Sequence, residues 1–176
     1  MKLIEQNTSK EYVFFVRREE LLGIRFAFND FERIEGSSDW LNNFEREFEI
    51  KPGTALNLYL YKIAPIYEKN VDTYLNLDIE EIFIVNHFLV NESLILNIDC
   101  DSITGTSFAE VYSMVDIFLQ VLRTISFSGI SDEAQINRQN IIKQDTKTFD
   151  RYRSHFIERD AHLVEKLGVP RFVEKK

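Results

Sequence analysis

The chain has 176 residues and a formal net charge of −8, with 44% hydrophobic and 28% charged residues. That is the composition of a globular protein large enough to bury a good core. One cysteine, Cys100, excludes an internal disulfide and a multi-cysteine metal site, and no stretch approaches the roughly 18 apolar residues of a membrane-spanning helix.

Near the N-terminus, Lys2 to Glu5 reads as a short edge strand and Tyr12-Val13-Phe14-Phe15-Val16 as a β-rich run. Ile24-Arg25-Phe26-Ala27-Phe28 alternates as a half-buried strand does, which predicts a hairpin with the Tyr12 run. Ser37-Ser38-Asp39 offers an N-cap for a helix from Trp40 to Phe48, with Trp40, Leu41, Phe44 and Phe48 on one side and Lys51-Pro52-Gly53 as its stop. Leu56, Leu58 and Leu60 alternate with polar or tyrosine positions, the period of a strand, although a helix ending before Pro65 fits the same residues.

Leu75, Leu77 and Ile79 alternate with Asn76, Asp78 and Glu80, and the apolar runs 82–85 and 87–90 predict a continuing or neighbouring strand. Asn91-Glu92 is a two-residue turn into a further strand, Ser93 to Asp99. Ser107-Phe108-Ala109-Glu110 fits a capping box, and Phe108, Val111, Tyr112, Val115, Phe118, Leu119, Leu122 and Ile125 give a helical stripe from Ser107 to Phe127. Beyond Ser128-Gly129, Ser131-Asp132-Glu133 opens a helix to about Gln144, and Phe149 to Leu167 reads as a second, amphipathic helix ending at Gly168.

These elements predict an α+β fold. A meander-like antiparallel sheet of roughly five to seven strands would pack on the long central helix and on C-terminal helices. Residues 1–127 would form an acidic core and residues 128–176 a helical extension packed on it, one structural domain in all. The N-terminus lacks the apolar run of a signal peptide, and with a single thiol this points to a reducing, cytoplasmic setting.

Charge is unevenly distributed. Residues 1–127 carry 11 basic against 21 acidic residues, and residues 128–176 carry ten against eight. No Lys or Arg occurs from Asn70 to Leu122, a window that holds Asp72, Asp78, Glu80, Glu81, Glu92, Asp99, Asp101, Glu110 and Asp116. Such a body repels nucleic acid and anionic membranes and steers toward basic partners. Asp72, Asp78, Glu80, Glu81 and Glu92 are therefore the expected partner-binding acids. The expected role is that of a non-enzymatic protein-binding module, an acidic inhibitor or immunity-type protein that engages a basic enzyme or toxin surface without cofactor, metal, nucleic acid or membrane. Self-association is left open.

Catalytic alternatives are sparse. Asp99 and Asp101 at a strand end, with Glu110 in the next helix, have the chemistry of a divalent-metal site, although acids at a strand end are common structural punctuation. Cys100 and His87 have that of nucleophile and base, but the acids around Cys100 would raise its thiol pKa. His155 and His162 lack a third ligand. Thr104-Gly105-Thr106-Ser107 lacks the spacing of a phosphate loop. The run Leu94 to Asp99, then Asp101-Ser102 and the helix opening Thr106-Ser107-Phe108-Ala109-Glu110, resembles the strand–loop–helix of STAS-type regulatory domains. That resemblance implies a switch docking on a partner kinase, with Ser102, Thr104, Thr106 or Ser107 as the regulated position. The β-rich first half and the long C-terminal helices depart from that family's pattern.

Overall fold

The computed structural model describes residues 2–6, 11–16, 39–69, 71–90 and 105–167, with side chains placed at 11–16, 42–66, 68–69, 71–90 and 114–151. Strand β1 (Lys2–Gln6) pairs antiparallel with β2 (Tyr12–Val16), and β2 pairs antiparallel with β3 (Thr73–Leu77), so the described sheet has three strands in the order β1-β2-β3. Tyr12 and Phe14 stand opposite Leu77 and Leu75, and all four are buried. On the other face the Phe15 and Tyr74 rings meet at 5.6 Å, with Tyr74 mostly exposed. Among the described residues both edges of β2 are occupied, one by β1 and the other by β3. Residues 24–28 and the expected strand 93–99 lie outside the described residues.

Helix α1 (Asp39–Glu47) ends as its sequence suggests, although Ser37 and Ser38 lie outside the described residues. Its last turn closes through Glu49 N–H to Arg46 O and Ile50 N–H to Glu45 O, the paired bonds of a left-handed helix end. Glu49 takes the left-handed position, with φ of 54°. Its carboxylate accepts from the Ser131 amide at 3.1 Å and the Ser131 hydroxyl at 2.6 Å, bonds that hold the carboxyl below its usual range. The buried Glu45 carboxylate accepts from Gly53 N–H and Ala55 N–H. It thereby satisfies donors at the start of α2 (Thr54–Leu58), where Gly53 has φ of 89°.

The expected strand around Leu56 to Leu60 is instead helical. Helix α2 runs into a π-helical turn (Tyr59–Ile63) and then α3 (Ala64–Lys69). The helical period won because Ala55, Leu58, Tyr59, Ile63 and Ile66 are the buried set, while Leu56 and Leu60 face solvent. Pro65, which has no N–H to give to a carbonyl of the preceding turn, is the second residue of α3, directly after the π-helical turn.

A second correction concerns residues 82–90, expected as strands. They belong to helix α4 (Ile79–Val90). From Glu81 to Val90 every residue except His87 is buried. A helix covered on all sides loses its amphipathic stripe, and short apolar runs do not distinguish it from a buried strand. The overlooked signal is Asp78-x-x-Glu81. Asp78 Oδ1 accepts from Glu81 N–H at 2.8 Å, and Glu81 Oε1 accepts from Asp78 N–H at 3.0 Å, a capping box at the start of α4.

Helix α5 (Gly105–Arg123) begins two residues before Ser107 and ends before Phe127. Ser107 therefore lies inside it rather than capping it. Val115, Phe118, Leu119 and Leu122 are buried as their spacing predicts. The two expected C-terminal helices are one, α6 (Asp132–Leu167). Ser131 caps it, its hydroxyl accepting from Ala134 N–H at 3.1 Å. The segment 145–148 contains no Gly or Pro to interrupt it, and Thr146 folds its hydroxyl back onto Ile142 O.

One apolar cluster joins these elements. It includes Phe14 and Leu77 from the sheet, Ile63 and Ile66, most of α4, Phe118 and Leu122 of α5, and Ile142 and Phe149 of α6. Among the described residues no helix is long and apolar enough to cross a membrane.

Candidate functional site

Of the acids expected to face a partner, Asp72 is exposed just before β3, whereas Asp78 is half-buried and caps α4. Glu80 turns to the fully buried Arg138 of α6, accepting from Nη1 at 2.5 Å and from Nη2 at 3.2 Å. Glu81 is buried and accepts from Lys62 Nζ at 2.6 Å. Burial raises the Glu81 pKa, opposed by the Asp78 amide and Lys62. The carboxylates of Glu80 and Glu81 thus answer cations of their own chain, from α6 and from the π-helical turn. Glu92 lies outside the described residues, as do Asp99, Cys100, Asp101, Ser102 and Thr104. Thr106, Ser107 and Glu110 lie on α5, and His155 and His162 on α6, at positions whose side chains are outside the described set. Among the described residues no group of three or more His, Cys, Asp or Glu could hold a metal ion.

Polar groups converge elsewhere, in a groove of about 470 Å³ between α1, α4 and α6. Asn43, Phe44, Glu47 and Phe48 line it from α1 and the turn after it, His87 and Phe88 from α4, and Ile141 from α6. The spacing 43/47 and 44/48 puts two adjacent rows of α1 on one wall. The Phe44 ring lies parallel to His87, 5.6 Å away and within 14°, and packs against Phe48 and Phe88 at 5.2 and 5.6 Å.

Behind this wall, His87 Nδ1 lies 3.2 and 3.1 Å from the two carboxylate oxygens of Asp145 on α6. The Asp145 side chain is 8% exposed and that of His87 26%. Asn86 Nδ2 reaches Asp145 Oδ2 at 3.5 Å, and the buried Asn86 Oδ1 has no hydrogen-bond partner. With the carboxylate ionised, Nδ1–H donates to Asp145; Nε2 is then an acceptor in the neutral imidazole and a second donor in the imidazolium. The pair has the form of a general base held by an orienting carboxylate. The described lining holds no Ser, Thr, Cys or Lys for such a base to activate. His87 carried a signal in sequence, but Asp145 lies 58 residues away and only the packing of α4 on α6 brings the two together.

Burial pushes the Asp145 carboxyl above its usual range, and the hydrogen bond and charge of His87 only partly oppose this. The native chain therefore keeps this proton to higher pH than the unfolded chain. Its contribution is most favourable below the unfolded pKa, near 4, and is lost as pH rises through the native pKa. Asp145→Asn preserves a hydrogen-bonding side chain without the ionisation. It is expected to flatten the fall in stability with rising pH, measured by urea unfolding from about pH 4 to pH 8. Glu81 contributes a fall of the same sign in both proteins, so it cancels from the difference between their curves, which reports the Asp145–His87 pair. Parallel curves would show that Asp145 does not titrate differently on folding.

Comparison with protein-family models, curated proteins and solved structures gives no significant match to this chain.

Proposed function

We propose that this chain is a non-enzymatic protein-binding module that engages a basic surface on another protein, as an acidic inhibitor or immunity-type protein would. The observation that carries the reading is the exposed set Val71, Asp72 and Tyr74, with Tyr61 of the π-helical turn. Tyr61 is 76% exposed and Tyr74 64%. Tyrosines supply large contact area with a polar tip and are enriched at protein interfaces. Here they belong to an acidic body in which no Lys or Arg occurs from residue 70 to 122. The acids speed the encounter and the aromatic residues hold the complex. The same reading places the protein in the cytoplasm, with no nucleic-acid or membrane partner.

The test is affinity capture from the source cell, followed by association kinetics with the purified captured protein. The expected partner has a basic surface and associates more slowly as salt rises. Tyr74→Ala is expected to weaken binding by about 2 kcal/mol, if Tyr74 is an anchor of the contact, and Asp72→Asn to slow association. A salt-independent rate, with neither variant affecting binding, would overturn the reading.

A further inference from the structure

The proposed function assigns no role to the groove between α1, α4 and α6, and its chemistry is selective. At about 470 Å³ it has room for a side chain, where a water molecule's share of the liquid is only about 30 Å³. Its wall includes two parallel rings, Phe44 and His87. Its polar groups are the exposed Glu47 carboxylate, the Asn43 amide and the His87 imidazole.

No Lys or Arg is among the described lining residues. An anion entering here would meet Glu47, with the Asp145 carboxylate behind the imidazole. A wholly apolar group would strip water from Glu47 and return no hydrogen bond to it. A flat, positively charged donor pairs with Glu47 and lies against the aromatic wall. Among protein side chains that describes arginine. Its guanidinium presents a rigid fork of donors and stacks on aromatic faces, whereas a lysine ammonium is a compact, strongly hydrated point charge.

We propose that this groove receives an arginine side chain of the protein partner, its guanidinium lying against the Phe44–His87 wall and donating to Glu47. This rests on the protein-binding reading and adds to it one contact residue class and one pocket.

The experiment titrates the full chain with a capped peptide carrying a single arginine between glycines, and follows the His87 ring nitrogens by NMR. Two control peptides replace arginine with citrulline, which keeps the shape without the charge, or with lysine. The expected result is a saturable shift of the His87 ring-nitrogen resonances with the arginine peptide. Citrulline should give none and lysine a weaker one. Glu47→Gln, at an exposed position where the fold is not at stake, should weaken arginine binding about tenfold, the scale of one charge-assisted hydrogen bond. Phe44→Leu serves as a second variant, with its fold checked by circular dichroism, and should also weaken binding. A His87 resonance that does not move, or equal binding of citrulline and arginine, would overturn the proposal.

The two readings fail separately. A purified partner whose binding responds to Tyr74→Ala but not to Glu47→Gln leaves the protein-binding role standing and removes the groove from it. An arginine peptide that binds at His87, in a chain for which no basic partner exists, does the reverse.

Discussion

Replacing Arg138 with leucine is expected to destabilise the chain by about 3–5 kcal/mol, the range for breaking a buried, hydrogen-bonded ion pair from one side. The side chain is fully buried. Its Nε donates to Phe48 O at 2.8 Å and its Nη2 to Glu49 O at 3.2 Å, so it supplies donors to carbonyls at the closing turn of α1. The same fork holds Glu80 with two bonds. The guanidinium also lies 5.4 Å from the Phe83 ring centroid and 4.8 Å from that of Phe127. One side chain of α6 thus ties together the end of α1, the start of α4 and the link after α5. Leucine fills part of the volume and leaves two carbonyls without donors.

Arg138→Lys should recover little, because an ammonium on a single stem cannot reach all three acceptors at once. In Glu80→Gln the arginine keeps both backbone carbonyls and an amide oxygen as acceptors, so this variant should cost less than Arg138→Leu. A double-mutant cycle by urea unfolding would give their coupling. A loss below about 1 kcal/mol for Arg138→Leu, no more than an average substitution, would mean that the carbonyls find water and that the clamp is not a structural necessity.

Phe14→Ala is the second large effect, expected at about 3–5 kcal/mol, the range for truncating a buried phenylalanine. Phe14 and Phe118 are both fully buried, and their rings meet edge to face at 5.3 Å and 80°. A cycle with Phe118→Ala is expected to show a coupling of about 0.5–1.5 kcal/mol beyond area burial. Phe15→Ala is the control. It points to the opposite face, is half-buried, and touches Tyr74 rather than the core. It should cost clearly less. Equal losses for the two would mean that both faces of the sheet are covered to the same degree.

Legibility in the sequence followed the amount of contrast between buried and exposed positions. The β3 run, the helix α1 with its stop at Lys51-Pro52-Gly53 and the apolar stripe of α5 were readable because each alternates or repeats with one face less covered, the β2 run because it is β-branched and aromatic, and the helix start at Ser131 because of its capping residue. Helix α4 was not, because burial on nearly all sides erased its period, and the capping pair Asp78 and Glu81 looked like surface charge. The same ambiguity misassigned Leu56 to Leu60, where three leucines at period two happen to lie on a helix whose buried face they mostly do not share.

The charge map was likewise half legible. Sequence alone determined that the first 127 residues are strongly acidic and that Lys and Arg are missing from 70 to 122. It could not say where the balancing charges fall. Arg138 lies 58 residues from Glu80, and Lys62 lies 19 from Glu81. Only the packing of α6 and of the π-helical turn against α4 turned two expected partner-binding acids toward internal cations. The groove followed the same rule. Phe44 and Phe48 were visible as one side of α1, but the facing His87, its carboxylate Asp145 and the wall from Ile141 come from elements far apart in the chain. Spacing along the chain determines which residues share a face of one element. Which faces meet is decided by burying apolar surface from several elements at once, and the polar groups carried on those faces meet as a consequence.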